Sequence, residues 1–241
     1  MPQSRQWSRL TAEFVVIVIG VLTALAVDQI MEQRRERVLE RDLLLGFVEN
    51  LRTDSIDYSR LPEVANERVR SAELLLRNLA PGSEPGFRAE SSIDVMGPYE
   101  VPAVDEALVR AWGMILVPSD LDVARGAYTE FAEGGAQRLV RNPPLRRAIH
   151  DYYYQVELNQ KFDPWVASAI DELASRAIDL GLSPWEPDAD KIRAGFARGG
   201  DVLIGALRHL QSQSAIQAGV GLFLAGEAHT LMDALREEIG S

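Results

Sequence analysis

Apolar residues in this chain fall into two kinds of pattern. Phe14 to Val27 reads FVVIVIGVLTALAV, fourteen residues without a charge and apolar on every face of a helix. Downstream, apolar positions recur at three- and four-residue spacings, the signature of helices with one buried stripe. Ile30, Val38, Leu44, Val48 and Leu51 continue from the apolar run without an intervening glycine or proline before Gly46, and no turn cluster appears before Thr53. The spacing predicts one helix from about Leu10 to Leu51, roughly 60 Å long, of which 28–51 is the charged part. A second helix is expected at about 62–80, on the stripe Val64, Val69, Ala72, Leu75, Leu76 and Leu79, with Pro62 at a first-turn position or a kink.

Seven Gly and Pro residues make 81–103 a long loop. Helices are expected within 104–180. The first spans Val104 to Leu116, carries Trp112 and is stopped by Pro118, after which Ser119 and Asp120 offer caps. Gly134-Gly135 closes a short helix. Asn142 caps another, with Pro143 and Pro144 in its first turn and Leu145, Ile149, Tyr152 and Val156 as its buried stripe. Asp163-Pro164 opens the next, ended by Gly181. A short helix at 191–197 and a long final one at about 201–239 complete the reading. In the latter, Gly205, Gly219, Gly221 and Gly226 either permit close packing or break the helix. No alternating Val/Ile/Thr run suggests a sheet, and no internal repeat is present. The fold class is therefore all-α: an N-terminal transmembrane helix continuing into a long helix, packed with a helical bundle. The division is 1–31, tail and anchor, and 32–241, helical domain.

Three readings compete for the apolar run. As a buried core helix it would have to be surrounded completely. As a cleaved signal peptide it offers the small-x-small triplet Ala24-Leu25-Ala26, but Glu13 interrupts the basic region and no helix breaker precedes the cut. As an uncleaved anchor, Leu10 to Met31 gives 22 residues, roughly 33 Å, at the cost of including Glu13 and Asp28 near its ends. Trp7, Arg5 and Arg9 sit where a membrane interface would fall. The anchor is the reading adopted, as a single pass through a bacterial inner membrane with the lipid bilayer as partner. Glu13, Gly20, Ala24 and Val27 share one face, with Asp28 about 60° from Glu13. Gly20 and Ala24 form a small-xxx-small pair, so this face is the candidate for homo-oligomer contacts. Arg34, Arg35, Arg37 and Arg41 outnumber Arg5 and Arg9 and point the soluble domain to the cytoplasm, whereas the export-like N-terminus favours the periplasm.

Composition narrows function mostly by exclusion. The net charge is −11 without a basic cluster, which argues against nucleic acid as partner. The absence of cysteine removes disulfides and thiolate metal sites. His209 and His229 lie about 200° apart on one expected helix and cannot share a site within it, and no H-E-x-x-H spacing occurs. Gly219-Val220-Gly221 has the wrong spacing for a nucleotide loop, and Glu186, Asp188 and Asp190 lack the glycine and terminal glutamate of an EF-hand. No cofactor is expected. The best polar constellation is Arg146, His150, Tyr153 or Tyr154, and Glu157 along one helix face, with Tyr128, Glu130 and Arg141 near in sequence. Its functional reading is a pocket for a small anionic or polar ligand, with Arg146 as the charge partner and His150 as an acid-base group. Its structural reading is a solvated helix face with tyrosines half in the core.

The apolar run EFVVIVIGVLTALAVDQ followed by a charged helix, and the later AYTEFAEGGAQRLVRNPPLRRAIHDYYY, resemble a family of uncharacterised bacterial proteins. In that family one membrane helix runs into a helical domain. The matching mid-chain positions are Tyr128, Glu130, Gly134, Gly135, Leu139, Val140, Asn142, Tyr152 and Tyr153, with Gly134 in place of the commoner hydroxyl residue. The resemblance implies the anchor and the helical fold, and no chemistry. The expected role is a membrane-anchored, non-enzymatic binding or scaffolding module. The alternatives are a small-molecule sensor using Tyr128–Glu157 and, last, an enzyme using His150.

Overall fold

The computed structural model describes the backbone of residues 3–80, 104–119 and 122–240, with side chains from residue 18 onward in those ranges. The loop read at 81–103, the Asp120 cap and the Glu13 side chain lie outside the described residues. Within them every regular element is helical: α1 (Gln3–Leu79), α2 (Val104–Ile115), α3 (Gly126–Ala132), a 3₁₀ turn (Ala136–Arg138), α4 (Pro143–Gln160), α5 (Asp163–Asp179) and α6 (Ala189–Gly240).

The two helices expected at 28–51 and 62–80 are one. α1 passes through 53–61 with Pro62 inside it, and its 77 residues extend about 115 Å. An interior proline removes one backbone donor and crowds the carbonyl four residues back. Here that carbonyl, Tyr58 O, and the Pro62 ring both face Gly221 of α6. A Cβ built on Gly221 would stand 2.7 Å from Pro62 Cδ and 3.0 Å from Tyr58 O. The irregular turn of α1 is thus matched to the one residue type that lets a second helix approach it. Mixed apolar spacing hid this continuity in the sequence.

α6 runs antiparallel to α1, and the two helices are the spine of the fold. Their contact is divided into three. Nearest the N-terminal end of the body, Leu43, Leu44, Phe47, Leu51, Tyr58 and Leu61 of α1 pack with Leu224, Ala228, Leu231, Met232 and Leu235 of α6, and α3 and α4 close this first core. At the other end, Ala72, Leu75 and Leu76 meet Ile192, Phe196, Leu203, Leu207 and Leu210, with α2 and α5 completing the second core. Trp112 is fully buried there, edge-on to Phe196 at 6.1 Å, and donates its indole N–H to Ser183 O at 2.9 Å. Between the cores lies a narrow waist of small residues, Ala65, Ala215, Ala218 and Gly221, together with buried polar ones.

Local signals position the remaining helices. Asn142 caps α4 by accepting from Leu145 N at 3.3 Å, with prolines in the first turn. Its amide also donates to Glu238 at 2.6 Å, which fastens the start of α4 to the end of α6. α6 is kinked at Gly200, where φ 42° and ψ −127° suit glycine alone, and the kink separates the segments read as 191–197 and 201–239.

From residue 18 to residue 39 every residue of α1 is exposed. Ile19, Val21, Leu22, Leu25, Val27, Ile30 and Met31 are each more than half exposed, so the apolar run is not buried against the bundle. Among the described residues no helix is long and apolar enough to cross a membrane. From Val18 the uncharged run continues only to Val27, after which Asp28, Glu32, Arg34 and Arg35 follow.

Candidate functional site

The residues singled out along α3 and α4 separate into two groups. Tyr128, His150 and Tyr153 come together. The Tyr128 and Tyr153 rings stack at 4.1 Å with an interplanar angle of 17°, and the Tyr128 hydroxyl lies 3.5 Å from His150 Nδ1. Phe131 and Phe47 back this group, with Phe131 5.0 Å from the His150 ring and 5.6 Å from Phe47. Tyr153 also donates to Ala124 O at 3.3 Å. The rings fill the space between α1, α3 and α4, so the arrangement is an aromatic corner of the first core. Glu130 and Glu157 are exposed and Arg146 is half-buried. Glu130 lines a separate pocket of ≈ 240 Å³ with Leu39, Asp42, Gly46 and Asn50. Arg141 is committed elsewhere: its guanidinium lies 3.1 Å from Glu36, and its backbone N–H donates to Glu40 at 2.7 Å, fixing this corner to the exposed stretch of α1. On the arm, Gly20, Ala24, Val27 and Asp28 are all exposed.

The histidines stay apart. His209 Nδ1 is 3.5 Å from Glu172 of α5, and His229 Nδ1 is 2.7 Å from Ala225 O. Among the described residues no group of three metal-ligating side chains is placed to hold an ion.

Two buried charges on α1 escaped the sequence reading. The first is Asp54, 1 % exposed. Its carboxylate accepts from Ala124 N at 2.7 Å and from the Tyr152 hydroxyl at 3.1 Å. Burial pushes its pKa up to about 6, against the pull of those two hydrogen bonds, and Asp57 and Asp122 add to the rise. Burial likewise raises Tyr58, Tyr152 and Tyr153, so all three hydroxyls stay protonated at neutral pH. Asp54 holds the segment leading into α3 against α1 and α4.

The second is Arg68, fully buried at the waist. Its guanidinium donates to Gln217 Oε1 at 2.9 Å, to Ser214 Oγ at 3.3 Å and to Ser119 Oγ. Ser119 in turn donates to Gln217 Oε1 at 3.1 Å, and the Gln217 amide donates to Ser119 O at 3.1 Å and Asp163 Oδ1 at 3.4 Å. Arg68 Nε is buried without a hydrogen-bond partner, and so is the nearby Gln211 Oε1. Burial draws the arginine down to about 10. It stays a cation at neutral pH, in a setting of hydroxyls and amides. The only sequence signal for it is an arginine one position from the apolar stripe, beside Val69. Its partners lie 51, 146 and 149 residues away.

No family model, no curated protein and no solved structure matches the chain.

Proposed function

We propose that this protein is a membrane-tethered helical module that binds or scaffolds other molecules, held to a bacterial inner membrane by the first part of α1. The observation that carries the reading is the exposure of the apolar arm. Its large side chains between Ile19 and Met31 contact no core, although burying each is worth about 1.5–3 kcal/mol. An exposed apolar surface on that scale calls for lipid or for another apolar surface. Phe14 to Ile17 extend the run toward its end, and Leu10 to Met31 matches a hydrocarbon core of about 30 Å. The resemblance to single-helix bacterial membrane proteins supports the same reading. Gly20 and Ala24, with open space where a Cβ on Gly20 would stand, offer the face through which two such helices pair.

Expressed in bacteria, the full-length chain should remain with membranes after carbonate extraction. Replacing Val18 and Leu22 with Lys should release it. Recovery of the unaltered chain in the soluble fraction without detergent would sink the proposal. A topology reporter at the C-terminus then gives the side on which the bundle lies, and crosslinking in membranes reports the pairing.

A further inference from the structure

We propose that the waist between the two cores is a binding site for a small free oxyanion, with Arg68 as the group that receives its charge. The proposal is independent of the membrane tether. A buried ion is strongly disfavoured unless an opposite charge and hydrogen bonds compensate it. Arg68 has the hydrogen bonds, to Ser119, Ser214 and Gln217, but no carboxylate within ion-pair distance among the described residues. The one acid joined to the network, Asp163, enters it through the Gln217 amide. The donors that remain suit an oxyanion: Arg68 Nε is unpartnered, and the Ser119 and Ser214 hydroxyls can turn to donate. A guanidinium presents two parallel N–H groups to such a ligand, which a lysine cannot do.

The site also has an approach. Ser119 stands both on the Arg68 guanidinium and in the wall of an open cleft of ≈ 290 Å³, lined in addition by Asp57, Arg60, Leu61, Val64 and Asp122. Ser119 belongs to the irregular stretch after α2, so its displacement breaks no helix hydrogen bond. An anion entering from the cleft passes Arg60 and takes the Ser119 hydroxyl's place on Arg68, the hydroxyl turning to donate to it. Asp57 and Asp122 on the same cleft oppose it, which favours small anions that lodge beyond them. The source is a dissolved anion and not a lipid headgroup. Along α1, Arg68 is about 60 Å from Val27, beyond the reach of a phosphate at the surface of a bilayer holding the apolar run.

The test is thermal unfolding of the full-length chain in detergent micelles, titrated with sodium phosphate and separately with sodium acetate, ionic strength held constant with chloride. A saturable rise in Tm of several degrees with at least one of them is expected. Arg68→Met should abolish it, and Arg68→Lys and Ser119→Ala should weaken apparent affinity tenfold or more. Circular dichroism checks that each variant is folded; if Arg68→Met is not, the two milder variants decide the matter by the same criterion. The proposal is overturned if neither anion gives a saturable rise, or if the rise is the same in the variants, which would mark a general salt effect. A response only to vesicles containing anionic phospholipid would also overturn it.

Discussion

Asp54 and Arg68 sit on the same helix, fourteen residues and roughly 21 Å apart, and both are withdrawn from water. They differ in what surrounds them and in how they can respond. Asp54 is placed at the aromatic corner, where a tyrosine hydroxyl and a backbone N–H cover its two oxygens. With its pKa near 6, it can also take up a proton. Arg68 has no such exit near neutral pH, because even when burial draws it down to about 10 its guanidinium stays charged there. One buried charge is therefore relieved by protonation, the other held by hydroxyl and amide hydrogen bonds. The lesson is that the distance of a buried group's pKa from neutrality decides whether a change of pH can relieve its charge.

The comparison can be broken most forcefully at the waist. Gly221→Val places methyl groups against Pro62 and Tyr58 O, and overpacking of this kind costs about 3 kcal/mol. The loss should appear as a lower denaturation midpoint, with any anion response of Arg68 diminished and the tyrosine near-ultraviolet signal of the first core retained. Loss of both together would mean that waist and corner are not separable. Next in size, Tyr152→Phe removes one of the two hydrogen bonds on Asp54 and should cost about 2 kcal/mol at neutral pH. Because that bond lowers the pKa of Asp54, the variant should titrate above 6, and a carboxyl-selective NMR or infrared titration reads the change.

The smallest effect is the most specific. Asp54 has a folded pKa raised from 3.8 to about 6, so between those values the folded state binds the proton and the unfolded state does not. Stability from this group increases as pH falls through 6 toward 3.8 and is lost as pH rises again. Between pH 7 and pH 5 the gain is about 1.3 kcal/mol, and Asp54→Asn should remove that increment from the difference between two denaturation curves. A variant with the same pH slope as wild type would show that Asp54 does not carry it.

Much of the helical framework could be read from residue order. Asn142 with its two prolines, and the stripe Leu145, Ile149, Tyr152 and Val156, specify α4 by local rules alone, and the structure buries all four. The run through Pro62 could not be read, because a rule about isolated helices is overridden by a tertiary match to Gly221. For the candidate residues, periodicity put His150 and Tyr153 on one helix, yet it could not say that Tyr128 would stack on Tyr153 and stand edge-on to His150. Nor could it place Arg141 on the acids of α1. Arg68 was illegible for a different reason. A buried polar residue is recognised by its partners, and those come from the middle of α6 and from the stretch after α2.

The absence of a joint in α1 has a mechanical consequence. From Gln3 to Arg35 the helix reaches roughly 50 Å beyond Glu36, where Arg141 first ties it to the body. A rod of that length is a lever, and a tilt of about 5° at its entry sweeps the tip by roughly 5 Å. Small strains in the bundle are thus displayed at the tip as large excursions, while a force on the tip arrives at the bundle as torque.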